Sequence, residues 1–248
     1  MMEDDRSDFE KNRREKILSL GRDEDAFQLG IETFVAADRH QFTYLWSWMG
    51  LPIIQMPTDI VSVQEIVWQT KPEVIIESGV ARGGSVVFLA SLLQLLGRGK
   101  VIGVDIDIRA HNRENIESHP MSHRICLIEG PSLDPKTIRQ VEAQIPDGAK
   151  VMVILDSDHS YEHVLGELQQ YSRFVTVGQY IVAADTILGH LSREQTPVVR
   201  SKVWYQGDEP LAAVRDFLER HPEFEADPLV NGKQLLASSP GGYLVRKK

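Results

Sequence analysis

The sequence predicts a doubly wound α/β fold: a mostly parallel sheet with helices on both faces, closed by a C-terminal antiparallel strand. Three observations carry that expectation. Between residues 73 and 185, five short apolar runs rich in β-branched residues alternate with helical stretches, and near-continuous apolar strands belong to a parallel sheet covered on both sides. Acids collect toward the ends of these runs, at Glu77, Asp105, Asp156 and Asp185, and such sheets gather ligands outside the carboxyl ends of their strands. After a helical stretch at 209–221, "KQLLASSPGGYLVRK" reads as two strands around a Pro-Gly-Gly turn.

The 248 residues, 42% hydrophobic and 25% charged, suit one such domain with at most a small appendage. Fifteen of the first 25 residues are charged, which marks a surface helix, and residues 26–50 carry aromatics at irregular spacing that pack on the core or over a pocket. We therefore divide the chain into a helical extension or lid over 1–56 and a sheet domain over 57–248. In the second part, "PTDIVSVQEIVWQT" starts a helix with Thr58 or Asp59 as N-cap and Ile60, Val63, Ile66 and Val67 on one stripe. Strands are expected at 73–79, 100–107, 123–130, 150–156 and 179–185, and helices at 84–97, 134–145 and 163–175.

Composition narrows the function. The single cysteine, Cys126, excludes a disulfide framework and a Cys-rich zinc site, and it fits a reducing cytoplasm. No apolar run reaches the roughly 18 residues of a membrane span, and the charged N-terminus has no signal-peptide core. The net charge of −9 argues against a nucleic-acid backbone binder. The expected partner is a small molecule, and a homo-oligomer is compatible with the sequence.

The stretch "IIESGVARGGSVV" places Glu77, Gly79, Gly83, Gly84 and Ser85 at a strand-to-helix turn. Gly79 lets the chain turn and lets a ligand approach the backbone; Gly83 and Gly84 bring the helix close to the strand. The pattern E-x-G-x-x-x-G-x-S is neither the dinucleotide fingerprint nor the P-loop. Asp105, at the tip of the next strand, can take both hydroxyls of a ribose. A nicotinamide-dependent oxidoreductase would need the missing G-x-G-x-x-G. A non-catalytic nucleotide-binding protein would leave the acids and the histidine described below idle.

This combination resembles the class I S-adenosylmethionine-dependent methyltransferases, whose Rossmann-like sheet also ends in an antiparallel strand. The resemblance implies S-adenosylmethionine as cofactor, with Glu77 facing the ligand loop, Gly79 and Gly83 lining the methionine end and Asp105 on the ribose. Ser85 and Asp156 complete the expected cofactor set.

Asp156 and Asp185 end two successive strands. If those strands are neighbours, their axes lie about 4.8 Å apart, and two carboxylates at that spacing can chelate one Mg²⁺ that keeps positions for a substrate. His159, three residues beyond Asp156, is placed to take a proton from a hydroxyl held there. The same segment contains His159-Ser160-Tyr161-Glu162-His163, the H-x-x-E-H pattern of some zinc peptidases. Those enzymes need the motif well inside a helix and a third protein ligand downstream. Here His159 lies at a strand-to-helix seam, so we reject zinc and expect His163 on the helix surface.

The longer stretch "VMVILDSDHSYEHVLGELQQYSRFVTVGQYIVAADTILGH", with "PTD" at 57–59 and "PGGYLVRK" at the end, is similar to the rhamnosyl O-methyltransferase and cephalosporin hydroxylase-like family. That resemblance implies methylation of a sugar hydroxyl, such as that of a deoxysugar in an antibiotic or glycolipid, free on a nucleotide or in a finished glycoside. It also implies an Mg²⁺ held by Asp156 and by an acid pair ending the fifth strand, with His159 as base. The chain departs from the pattern in that pair, which reads Ala184-Asp185. Asp158, Thr186 or water is left to fill the place of the missing acid. Residues 26–56 and the insert 189–207 are expected to shape the acceptor pocket.

Overall fold

The computed structural model describes residues 5–195 and 207–248; most of the insert expected to shape the acceptor pocket, residues 196–206, lies outside them. The chain opens with α1 (Arg6–Leu20) and α2 (Glu24–Asp38), then a hairpin of β1 (Trp46–Trp48) and β2 (Leu51–Ile53). Positive φ at Met49 and Gly50 closes that hairpin. The sheet domain runs through α3 (Pro57–Thr70), β3 (Val74–Ser78), α4 (Gly84–Leu95), β4 (Lys100–Asp105), α5 (Ala110–Glu117), β5 (Ile125–Glu129) and α6 (Pro135–Glu142). It continues with β6 (Val151–Leu155), α7 (Tyr161–Tyr171), β7 (Tyr180–Ala183), α8 (Pro210–Arg220), β8 (Phe224–Ala226), α9 (Pro228–Asn231) and β9 (Tyr243–Arg246).

Seven strands form one sheet in the order β5-β4-β3-β6-β7-β9-β8. The pairs among β3 to β7 are parallel, and β9 runs antiparallel to both its neighbours. The expected fold class is therefore the observed one. Its two faces bury separate apolar layers, as the two-residue alternation of a strand requires. On one face Ile75, Val101, Met152 and Val182 pack with Val63, Ile66 and Val67 of α3 and with α4. On the other, Ile76, Ile102, Val153 and Ile181 meet Val141 of α6, Leu168 of α7 and Phe217 of α8.

Two expectations are corrected. The N-cap of α3 is Met56, without a side-chain cap, and Pro57 occupies the first turn, where its fixed φ and missing N–H cost nothing. Asp59 is instead buried and bonded to Ser238 and Tyr243. Residues 233–239 form no strand: the partner of β9 is β8, before α9. The stretch buries polar side chains against α3, with Gln234 Nε2 donating to Ser62 Oγ at 2.8 Å, and bonds across to the residues after β7.

The N-terminal part packs where the site lies. Ile31 and Phe34 of α2 join Met56, Ile187 and Leu191 in a third apolar cluster. The hairpin sits on α4, with Trp48 edge-on to Phe88 at 4.9 Å and its Nε1 donating to Ser91 Oγ at 3.1 Å. Of the irregular aromatics of residues 26–50, Phe34 and Trp48 pack this segment on the core, while Tyr44 and Trp46 stay exposed.

Candidate functional site

The strand order reverses between β3 and β6, which leaves a crevice at their carboxyl ends. The register aligns Ser78 with Leu155, and Leu155 with Ala183, so Gly79, Asp156 and Ala184 leave the sheet side by side. Gly79 has φ +97°, and a Cβ there would stand 1.8 Å from the carbonyl oxygen of Asp156. Glycine is required by the neighbouring strand tip as well as by the turn. Gly83, the N-cap of α4, has φ +87°, and a Cβ on it would run into Ile116.

The acids around this loop do different work. One oxygen of Asp105 accepts the N–H groups of Val80 and Ala81 at 2.9 and 3.0 Å, and the other accepts Asp107 N–H at 3.1 Å. Asp105 therefore shapes the loop from below. Glu77 is fully buried; its Oε2 accepts the Ser85 hydroxyl at 3.0 Å, and its Oε1 has no partner among the described residues. Burial, then the Asp156 charge, holds the Glu77 carboxyl well above the usual carboxylate range against the lowering bond from Ser85.

Two cavities flank the loop and share Gly79, Ala81, Asp156 and Ser157. The larger, of about 510 Å³, is lined further by Asp105, Ile106, Ser132 and His163. The smaller, of about 210 Å³, is lined further by Tyr44, Gln55, Arg82, Ser85, His159 and Asp185. Both fall on the scale of small-molecule sites when taken together. Of the residues predicted from sequence, Gly79, Ser85, Asp105, Asp156, His159 and Asp185 line this crevice. Glu77 and Gly83 line neither cavity and act through the loop they support. The N-terminus of α4 opens here with no side-chain cap and no acid in its first turn, a setting that favours an anion such as a carboxylate.

Asp156, His159 and Asp185 converge, with one ligand atom of each lying within 4.8 Å of the others. His159 Nε2 is 3.1 Å from Asp185 Oδ2. Burial first, and the Asp185 charge second, push the Asp156 carboxyl from 3.8 up to about 7, while His159 and a bond from Gln55 pull it down. Two carboxylates and an imidazole this close fit a divalent cation, whose charge would relieve the repulsion.

Neither residue considered as a stand-in at Ala184 joins this cluster. Thr186 is buried and its hydroxyl donates to Pro240 C=O at 2.8 Å. Asp158 accepts Ser160 N–H at 2.8 Å and the Ser160 hydroxyl at 2.6 Å, ahead of α7. Because α7 begins at Tyr161, His159 stands outside the helix and the H-x-x-E-H pattern does not share one helical face. His163 is also corrected: it lines the larger cavity and its Nε2 lies 3.3 Å from buried Glu167, 3.1 Å from Ser157 Oγ and 3.2 Å from Ser132 Oγ.

Tyr44 and Gln55 fall in the segment 26–56 expected over the pocket without being singled out there, and sequence reasoning missed Arg82 in the smaller cavity, Ser132 in the larger and Ser157, which lines both. Ser157 adjoins Asp156, and Ser132 follows the third strand tip in "EGPS", so strand-tip position alone was the available signal. Nothing local marks Gln55.

The chain also matches known proteins over most of its length. A model of the family described as rhamnosyl O-methyltransferase/CmcI matches residues 40–247. A rhamnosyl O-methyltransferase of Mycobacterium leprae (strain TN) is 30% identical over 225 residues, covering 86% of this chain and 91% of that protein. Among solved structures, apo CmcI aligns with a TM-score of 0.58 at 20% identity, over 83% of this chain and 77% of that one. CmcI with Mg and SAM aligns at 0.57 and 20% identity, over 83% and 78%. These structures share the fold.

Proposed function

The chain belongs to the rhamnosyl O-methyltransferase/CmcI family and is an S-adenosylmethionine-dependent O-methyltransferase; from that premise we propose that its acceptor is a sugar hydroxyl and that a divalent cation, Mg²⁺, assists the transfer. The convergence of Asp156, His159 and Asp185 beside the Gly79 loop is the observation that carries the reading. A structure of CmcI carrying Mg and SAM and a relative named for rhamnosyl methylation support it.

S-adenosylmethionine would supply an electrophilic methyl group on sulfur, and Mg²⁺ would acidify a hydroxyl beside it. Asp156 and Asp185 would hold the cation. The methionine carboxylate suits the open N-terminus of α4, with Arg82 lining the same cavity. The larger cavity has room for the adenosine, and Asp105 keeps lone pairs for ribose hydroxyls beyond those that its loop bonds use. His159 would take the proton of the acceptor hydroxyl through Nε2 once Asp185 held the cation; in this structure that nitrogen lies 3.1 Å from Asp185 Oδ2. The protein's share of the acceleration comes from fixing the hydroxyl against the methyl and from charges already in place.

A deoxysugar of a natural product or glycolipid, presented as a nucleotide sugar or a finished glycoside, is the acceptor class. The 1–56 segment serves as its lid, since Tyr44, Pro52, Ile54 and Gln55 line the smaller cavity. A cytoplasmic location belongs to the same reading; no helix among the described residues is long and apolar enough to cross a membrane. The test is a methyl-transfer assay over rhamnosides and nucleotide sugars, with EDTA and with Mg²⁺ restored. Turnover that EDTA abolishes and Mg²⁺ restores is expected on at least one sugar. Turnover indifferent to EDTA would overturn the cation, and transfer only to non-sugar hydroxyls would overturn the acceptor class.

A further inference from the structure

Asp185 lies two residues past the end of β7 in left-handed backbone, at φ 54° and ψ 26°. Asp tolerates that conformation better than most non-glycine residues, and its neighbours hold it there. Here the segment 238–242 clasps the turn. Ala183 N–H donates to Gly242 C=O at 2.9 Å, and Ile187 N–H donates to Ser238 C=O at 3.0 Å. The Thr186 hydroxyl donates to Pro240 C=O at 2.8 Å. The turn that carries Asp185 is therefore clipped to one loop on both sides. Gly242 is needed for the fit, since a Cβ would stand 2.1 Å from Ala183 O.

That loop leans in turn on Asp59. This carboxylate is only 4% exposed. Its Oδ2 accepts Ser238 N–H at 2.7 Å and the Ser238 hydroxyl at 3.0 Å, and its Oδ1 accepts the Tyr243 hydroxyl at 2.7 Å. Three bonds from one acid on α3 thus fix both ends of the segment. The acid provides no cap for its own helix. Burying it is costly even when it is well bonded, and a packed apolar residue would serve stability as well or better.

We propose that Asp59 is a positioning residue for the cation site: through Ser238, Tyr243 and the loop between them, it sets Asp185 where it can share one ion with Asp156. The inference rests on the reading of Asp156 and Asp185 as cation ligands. Asp59 is not itself counted as a ligand: it is buried under the loop and stands outside the converging cluster of Asp156, His159 and Asp185.

The test is Mn²⁺ binding, measured by calorimetry in the presence of S-adenosylhomocysteine and without turnover. Asp59→Ala is expected to weaken Mn²⁺ by about 10–100-fold, the usual effect of losing an outer partner of a metal ligand. Binding of S-adenosylhomocysteine alone should be unchanged. Asp59→Asn keeps an oxygen for Ser238 N–H and should recover most of the affinity. Tyr243→Phe removes one bond and should give an intermediate loss; it carries the test if Asp59→Ala does not fold. In methyl transfer, Asp59→Ala should need more Mg²⁺ for half-maximal rate. Unchanged Mn²⁺ affinity in Asp59→Ala would overturn the proposal, as would an equal loss of S-adenosylhomocysteine affinity or a failure of Asp59→Asn to do better. Wild-type protein that binds S-adenosylhomocysteine but no Mn²⁺ would instead sink the cation reading beneath it.

Discussion

Replacing Asp156 by Asn should stabilise the metal-free protein while it removes activity. Asp156 has its carboxyl raised from 3.8 to about 7, by burial first and by the Asp185 charge second. A carboxyl raised on folding binds its proton more tightly in the native state. The stability it contributes is thus present below the unfolded pKa and is lost as the pH climbs from about 4 through 7. Three pKa units at 1.36 kcal/mol each set a ceiling of about 4 kcal/mol on the penalty at pH 8. Asp156 keeps part of its surface open to the crevice, where water screens the charge, so about half of that is expected. For a chain of this size, about 2 kcal/mol corresponds to roughly 4–8 °C in Tm. Thermal melts in EDTA should show Asp156→Asn above wild type by that amount at pH 8, with the gap closing toward pH 5. Mg²⁺ should raise the wild-type Tm and leave the variant where it is, and methyl transfer by the variant should be lost. A variant that melts lower at pH 8, or by the same margin at every pH, would refute the argument that an uncompensated carboxylate strains this site.

Two further changes test neighbouring parts. Gly79→Ala forces a Cβ to within 1.8 Å of Asp156 O at φ +97°, so the tips of β3 and β6 must part; about 3 kcal/mol or more should be lost, read in melts, with S-adenosylhomocysteine binding abolished in calorimetry. His159→Gln removes the base and leaves the loop and both acids, so kcat should fall about 10²–10⁴-fold while S-adenosylhomocysteine affinity holds; a variant with wild-type kcat would remove His159 from the chemistry.

Much of this arrangement is legible in the sequence because its signals are local. Strand runs of five or six apolar residues have few other homes, and the acids at their ends follow from where such sheets bind ligands. The Asp156–Asp185 pair depends on β6 and β7 being neighbours, and that relation is decided by packing between distant segments rather than by any local pattern. Gly79 shows half its reason in the sequence: the ligand loop is visible there, whereas the opposing carbonyl of Asp156, 77 positions along the chain, is not. The expected strand at 233–239 failed because its short apolar run, Leu235 to Ala237, is flanked by Gln234 and Ser238, whose partners Ser62 and Asp59 lie on α3. A short apolar run cannot distinguish a strand from a coil whose flanking polar side chains are satisfied at long range. For the same reason Asp59 reads as a helix cap: Asp near a helix start is a frequent local solution, and the competing partner stands about 180 residues away.

The acid missing at Ala184 leads to the last prediction. The register places Ala184 beside Asp156, so an acid there would sit directly at the strand tip. In this chain the first acid of the expected pair is missing, and the remaining one, Asp185, stands in a left-handed turn. Asn tolerates that backbone better than most residues, so Asp185→Asn removes the charge with little change of shape. Burial is the larger cause of the raised Asp156 carboxyl and the Asp185 charge the second, and Asn removes only the second. In Asp185→Asn the pH at which metal-free stability falls should therefore move down from about 7 but stay above the ordinary carboxylate value, and Mn²⁺ affinity should be lost. Melts across pH 4–9 in EDTA measure it. An unmoved transition would mean that the two carboxylates do not sense each other, and a cation shared between them would lose its electrostatic reason. A transition that falls all the way to the ordinary value would make the pair's repulsion, rather than burial, the source of the strain.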